Sequence, residues 1–279
     1  MQIYHDVSYR MSKKLTQAYS TSFSFGIKAF APEYRDPIYA IYGFVRIADE
    51  IVDTFHDFDK KELFKKFRKD TYDALKNGIS TNPVLHAFQK VVREYKIDKE
   101  FIDAFLDSME MDLYNSTYKR NNYDKYIYGS AEVVGLMCLR VFVNNDHDRF
   151  KQLKEPARLL GSAFQKVNFL RDIKSDIEER GRIYLPNVNE FIEVNDKNKK
   201  ALEDEIEKEF EAALIGIMKL PIGVKLGVYS AYLYYHRLFG KIKKCSISEL
   251  SEKRVRISNP YKFLLFLKSL WEIKVLNLT

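Results

Sequence analysis

Two sets of acidic side chains in this sequence carry a spacing that chemistry can use. Asp49 and Asp53 stand four residues apart, so on a helix their carboxylates lie one above the other on a single face. Tyr42 and Arg46, seven and three residues before Asp49, fall in the same sector. The second set is Asn168, Asp172 and Asp176, again at intervals of four, with Gln165 nearly one turn earlier and Arg171 alongside. A lone Asp-x-x-x-Asp on a helix is ordinarily a solvated face. Here both sets follow apolar residues and travel with an arginine, where a plain surface helix mixes Lys and Glu.

Placed opposite each other, the two faces would gather four carboxylates and a carboxamide oxygen. Such an all-oxygen environment suits Mg²⁺ rather than zinc or copper. Carboxylates at that density need cations between them. The chemistry this favours is ionisation of an allylic diphosphate, because a cation bridging carboxylates and phosphate oxygens neutralises charge on the leaving group. Arg46 and Arg171 offer planar forks to phosphate oxygens. Ser20 and Ser22, in Tyr19-Ser20-Thr21-Ser22-Phe23-Ser24, add hydroxyl donors, although such a run alone reads as a helix cap.

Aromatic faces at Tyr42 and Tyr128 would stabilise a carbocation as they would an ammonium ion. An isoprenoid tail gains ~0.8 kcal/mol per buried CH₂, so apolar helices could form a tunnel for it. Phe23, Phe25, Phe30, Leu136, Val141, Leu160 and Phe164 are candidates for its wall, though core packing explains the same residues.

The elements that must position these groups are helices. Apolar residues recur at three and four along most of the chain, and only 11 Gly and 7 Pro interrupt it. The expected class is all-α. Helices are predicted at 32–54, where Pro32 opens an apolar stripe, and at 60–77, 83–95, 98–115, 123–144, 150–178, 197–219, 221–243 and 258–275. The segment Glu178-Glu179-Arg180-Gly181-Arg182-Ile183-Tyr184-Leu185-Pro186 ends one long helix with Gly and blocks its resumption with Pro. No linker, repeat or low-complexity tract divides the chain, so residues 1–279 read as one domain.

Composition removes several function classes. The net charge is +7, but the basic residues are interleaved with acids and no nucleic-acid recognition motif appears, so no nucleic-acid partner is expected. An anionic diphosphate or a membrane surface suits the same bias. Cys138 and Cys245 lack metal-ligand spacing and read as incidental thiols, and the five histidines show no i,i+4 pair. The start of the chain lacks a secretory signal, and Lys268 breaks the apolar run from Phe263 to Leu267 long before a membrane span. A cytoplasmic protein is expected; Trp271 and that run read as a last packed helix, with peripheral membrane contact as the alternative, and the oligomeric state stays open.

The ordered motifs resemble the squalene/phytoene synthase family, and within it bacterial phytoene synthases more than squalene synthases. They run from Tyr19-Ser20-Thr21-Ser22-Phe23 through Ala40-Ile41-Tyr42-Gly43-Phe44-Val45-Arg46 to Asp49-Glu50-Ile51-Val52-Asp53. Met109-Glu110-Met111-Asp112-Leu113 and the stretch from Tyr126 to Met137 follow in order. The most specific piece is Gln165-Lys166-Val167-Asn168-Phe169-Leu170-Arg171-Asp172-Ile173-Lys174-Ser175-Asp176, with Gly181-Arg182-Ile183-Tyr184-Leu185-Pro186 behind it. Glu50 replaces an Asp common in relatives and Ile127 a common Cys, neither at a cost to activity.

The resemblance implies the helical isoprenoid synthase fold, with a central cavity between two acidic helices. It makes Asp49, Asp53, Asn168, Asp172 and Asp176 ligands of Mg²⁺, for which Mn²⁺ would substitute. Tyr19, Ser20, Thr21, Ser22, Tyr42, Arg46, Gln165 and Arg171 would line two diphosphate sites, with Tyr235 and Arg254 near one of them. The implied reaction joins two allylic diphosphates head to head. Phytoene formation from C20 substrates is the reading it favours, with dehydrosqualene or squalene from C15 substrates, or a non-catalytic assembly protein, as alternatives. No dinucleotide fingerprint is present and NADPH is not expected.

Overall fold

The computed structural model describes residues 1–185 and 195–274. Thirteen helices follow one another through them: α1 Gln2–Tyr19, α2 Thr21–Lys28, α3 Pro32–Asp53, α4 Lys60–Asn77, α5 Pro83–Glu94, α6 Lys99–Met111, α7 Arg120–Ile127, α8 Val133–Phe142, α9 His147–Glu178, α10 Asp196–Met218, α11 Ile222–Ile242, α12 Ile247–Glu252 and α13 Asn259–Lys274. A π-helical turn, Tyr128–Glu132, joins α7 to α8. Among the described residues there is no strand, only an isolated parallel bridge between Thr117 and Ile183.

Local chemistry sets the helix ends. Asp59, Asn82, Asp146 and Asn195 accept from backbone N–H groups at the starts of α4, α5, α9 and α10. Pro32 and Pro83 occupy first helical positions, where no N–H is needed. Ser20 caps α2 by accepting from Phe23 N at 3.1 Å, so the bland reading of that Ser/Thr run holds for this residue. The helix expected over 98–115 stops at Met111, where the chain turns and the Asp112 side chain is drawn inward by three tyrosines.

Two apolar clusters form the core. The first joins α3, α5, α6 and α8 and contains Phe44 stacked on Phe88 at 3.9 Å. The second joins α7, α9, α10, α11 and the chain at residues 183–185. The π-turn sits between α6 and α9 because glycines let backbones touch. A Cβ on Gly129 would lie 2.3 Å from Ala104 O, and one on Gly161 would lie 2.6 Å from Ala131 O.

A cavity of about 630 Å³ runs between these clusters, walled by side chains of α2, α3, α8 to α11 and α13. Its wall contains Phe23, Phe25, Phe30, Leu160 and Phe164, as the tunnel reading expects. Leu136 and Val141 are corrected: both are fully buried in the first core cluster and do not reach the lumen.

Candidate active site

The acidic faces sit on α3 and α9, whose backbones scarcely approach one another. Guanidinium groups fill the gap. Arg180 Nε lies 3.2 Å from Asp53 Oδ2 while its Nη1 lies 2.6 Å from Asp176 Oδ1. Arg182 Nη1 donates to Asp53 Oδ1 at 2.6 Å, and its Nη2 donates to Val52 O at 3.1 Å. Arg180 therefore links Asp53 of α3 to Asp176 of α9.

The turn after α9 makes this possible. Gly181 adopts φ +64°, a conformation that suits glycine, and Arg182 N–H returns to Asp176 O at 2.8 Å. Both arginines are thereby carried back over the acids. Sequence reasoning assigned them no role; the signal was Arg180 at i+4 from Asp176, on the same face.

Asp172 is held by Arg171, with contacts of 2.9 and 2.5 Å, and by Arg254, whose Nε lies 2.7 Å from Oδ1. Asn168 Oδ1 accepts from the Tyr235 hydroxyl at 3.2 Å, and Tyr235 stacks on Phe164 with centroids 4.0 Å apart. On α3, Arg46 pairs with Glu50 and lies 3.8 Å from Asp49. Its plane covers the Tyr19 ring at 4.3 Å, and its Nε is buried without a hydrogen-bond partner. Glu50 thus anchors Arg46, and also accepts from Thr54 Oγ1 at 2.9 Å.

The polar end of the cavity is lined by Ser20, Thr21, Tyr42, Gln165, Asn168, Arg171 and Tyr235. Tyr42 stacks on Phe23 at 4.9 Å, and burial pushes its hydroxyl up to about 12. The Ser22 side chain lies outside the described residues, as does Pro186 of the last motif. Tyr128 is corrected: it does not line the cavity. Ser130, Val134 and Cys138 line the lumen, whereas Tyr128, at the start of the π-turn, is not part of its wall. Tyr128 packs against the first core cluster instead.

Behind the acids, Asp112 is buried and accepts from Tyr118, Tyr184 and Tyr126 at 2.6, 2.9 and 2.8 Å, with Arg182 Nη1 at 3.6 Å. Burial raises its carboxyl above the usual range, against Arg182 and the hydroxyls. This anchor was also missed, because its partners come from separate stretches of chain.

Burial, with Asp53 beside it, pushes Asp49 up to about 7. Burial pushes Asp176 up to about 7 as well, against the pull of Arg180 and helped by Asp172. Carboxylates raised in this way are short of positive charge, and the oxygen donors of Asp49, Asp53, Asn168, Asp172 and Asp176 have the chemistry to take a hard divalent cation. Among the described residues, no three His, Cys, Asp or Glu side chains are gathered closely enough to hold one ion.

A profile described as squalene/phytoene synthase matches residues 16–191. The chain belongs to that family. Phytoene synthase 2 of Solanum lycopersicum is 27% identical over 272 residues, covering 88% of this chain and 84% of the relative. Presqualene diphosphate synthase of Sinorhizobium fredii is 32% identical over 171 residues, 61% of this chain and 59% of the relative. A dehydrosqualene synthase crystal structure in complex with ligand superposes with a TM-score of 0.82 at 20% identity, covering 97% of this chain and 98% of that one. The all-α isoprenoid synthase fold follows. As a member of the squalene/phytoene synthase family, the protein is a prenyltransferase of isoprenoid biosynthesis acting on prenyl diphosphates. Among the described residues, no helix is long and apolar enough to cross a membrane.

Proposed function

We propose that the protein condenses two geranylgeranyl diphosphates head to head into phytoene, through a cyclopropylcarbinyl diphosphate, releasing two diphosphates in carotenoid biosynthesis. The whole chain, 1–279, acts as one catalytic domain and uses no NADPH. The observation that carries this reading is the apolar cavity ending at Tyr42, Gln165, Asn168 and Arg171, beside the two acidic faces.

Tails lie along the phenylalanine and leucine walls, and diphosphates lie at the polar end. Arg171 lines that end and offers guanidinium donors to phosphate oxygens, and Arg46, whose Nε is buried and unpartnered, would do so from the α3 face beside Asp49. Asp49, Asp53, Asn168, Asp172 and Asp176 would hold Mg²⁺, with Mn²⁺ as a substitute, which neutralises charge on the departing diphosphate when bound. Departure of the first diphosphate leaves a C1 cation, which the C2=C3 alkene of the second substrate attacks; proton loss closes the cyclopropane. Departure of the second diphosphate triggers rearrangement, and loss of a further proton gives phytoene. The Tyr42 ring, stacked on Phe23, faces this charge, while its raised hydroxyl stays neutral near pH 7.

Competition between C15 and C20 diphosphates, with and without NADPH, tests the assignment. Predominant C20 condensation, indifferent to NADPH, is expected. Predominant C15 condensation would replace it with dehydrosqualene or squalene synthesis.

A further inference from the structure

A second pocket, of about 610 Å³, lies against Arg180 and Arg182. It forms where the end of α3, the start of α4, the turn after α6 and the reversal at Gly181 meet. Arg180 stands in its wall and also between Asp53 and Asp176, at 3.2 and 2.6 Å. One guanidinium therefore belongs both to the acidic site and to this pocket. Lys61, Tyr114 and Ser116 of the wall are exposed, so the pocket opens to solvent.

Its cations are poorly matched by acids. Lys60, Lys61, Arg180 and Arg182 line it against Asp59, Asp112 and Glu179. Two of those acids are already engaged. Asp59 accepts from Lys61 N and Glu62 N at 3.1 Å, and Asp112 is enclosed by three tyrosine hydroxyls. Partly buried Lys60 donates to Val52 O at 3.0 Å, the same carbonyl that Arg182 reaches at 3.1 Å. Lys61 lies over the Tyr114 ring at 4.4 Å. Among the described residues neither lysine forms an ion pair. Burial and the neighbouring Arg182 depress the Lys60 ammonium below its ordinary value, as cations crowded without an anion require.

A small, highly charged anion would satisfy Lys60, Lys61 and Arg180 together. The reaction proposed above sheds such an anion twice, on the other side of Arg180. Passage through the apolar cavity would strip its hydration, which is costly for a charged group, whereas this pocket is polar. We propose that the pocket binds inorganic diphosphate through Lys60, Lys61 and Arg180, and that diphosphate leaves the site through it. The binding stands on the residues of the pocket; the exit role rests on the proposed reaction.

Inorganic diphosphate titrated into the metal-free protein tests the binding. Lys61→Gln should weaken it and leave the melting curve in place, and Lys60→Gln with Lys61→Gln should weaken it on the order of tenfold or more. Salt should weaken it as well. Binding that survives both substitutions but is lost in Arg171→Gln would place the anion at the cavity end alone and overturn the pocket. Tighter binding of ADP than of inorganic diphosphate would mark a nucleotide site and overturn it too. With prenyl diphosphate and Mg²⁺, the double variant should lose roughly threefold or more in steady-state turnover and keep the single-turnover rate, because release and not chemistry is slowed. Unchanged turnover, or equal losses in both rates, would overturn the exit role. Lysine-dependent diphosphate binding in a protein that forms no product would refute the proposed reaction and the exit role with it, and leave the binding site standing.

Discussion

Asp53 and Asp176 belong to different helices and share one guanidinium, that of Arg180, at 3.2 and 2.6 Å. Arg180 thus stands between two of the carboxylates proposed to hold Mg²⁺. Arg180→Gln is expected to destabilise the metal-free protein by about 1–2 kcal/mol, since the pair is partly solvated. The same substitution should enlarge the stabilisation by Mg²⁺, because the ion no longer competes with a tethered cation. Thermal melts with and without Mg²⁺ check both effects; an unchanged Mg²⁺ increment would contradict the competition.

Asp49 and Asp176, both raised to about 7, make the metal-free protein's stability depend on pH. Between about 4 and 7 the folded state holds protons that the unfolded state has released, so stability falls as pH rises through that window. Above it the contribution is flat. The proposed Mg²⁺ would bind the ionised carboxylates, so its stabilising effect should be larger at pH 8 than at pH 5. Denaturant titrations across the range would show this, and a stability that rises from pH 5 to 7 in the absence of metal would contradict it.

Asp172 receives both Arg171 and Arg254, and in the proposed site it also faces the cation. Asp172→Asn is expected to lower kcat by on the order of a hundredfold or more, through loss of charge at the departing diphosphate. It should also reduce the melting shift produced by Mg²⁺. Undiminished product formation would contradict the role.

Asp112 touches no part of the cavity, yet it fixes three tyrosines and steadies Arg182. Asp112→Ala should cost about 3–5 kcal/mol by stranding three buried tyrosine hydroxyls, while Arg182 keeps Asp53 and Val52 O. Urea unfolding measures this directly. A loss below the effect of a surface substitution would show that the cluster carries no structural weight.

Much of this molecule is legible in its sequence because helix periodicity is a local property. The pair Asp49/Asp53 and the set Asn168/Asp172/Asp176 are readable from spacing, and Arg180 links the two at Asp53 and Asp176. Helix α1 escapes the same reasoning. Its buried face is Ser8, Ser12 and Thr16, whose hydroxyls donate to carbonyls four residues back, so no apolar stripe announces it. That small face lets α1 lie close to α3: a Cβ on Gly43 would sit 3.1 Å from Ser12. Tyr128 was misplaced because motif order says nothing about which side of a helix a ring takes. Arg180 and Arg182 were passed over because their role depends on the backbone reversal at Gly181. The Asp112 cluster is purely tertiary, assembled from residues 112, 118, 126, 182 and 184.

The central claim is a head-to-head condensation with two departures of diphosphate. It is tested most directly by incubating the purified protein with geranylgeranyl diphosphate and Mg²⁺ while counting diphosphate against hydrocarbon. The account predicts phytoene with two diphosphates released per molecule, and a transient C40 diphosphate under single turnover. One diphosphate per product, or no C40 product at all, would contradict it.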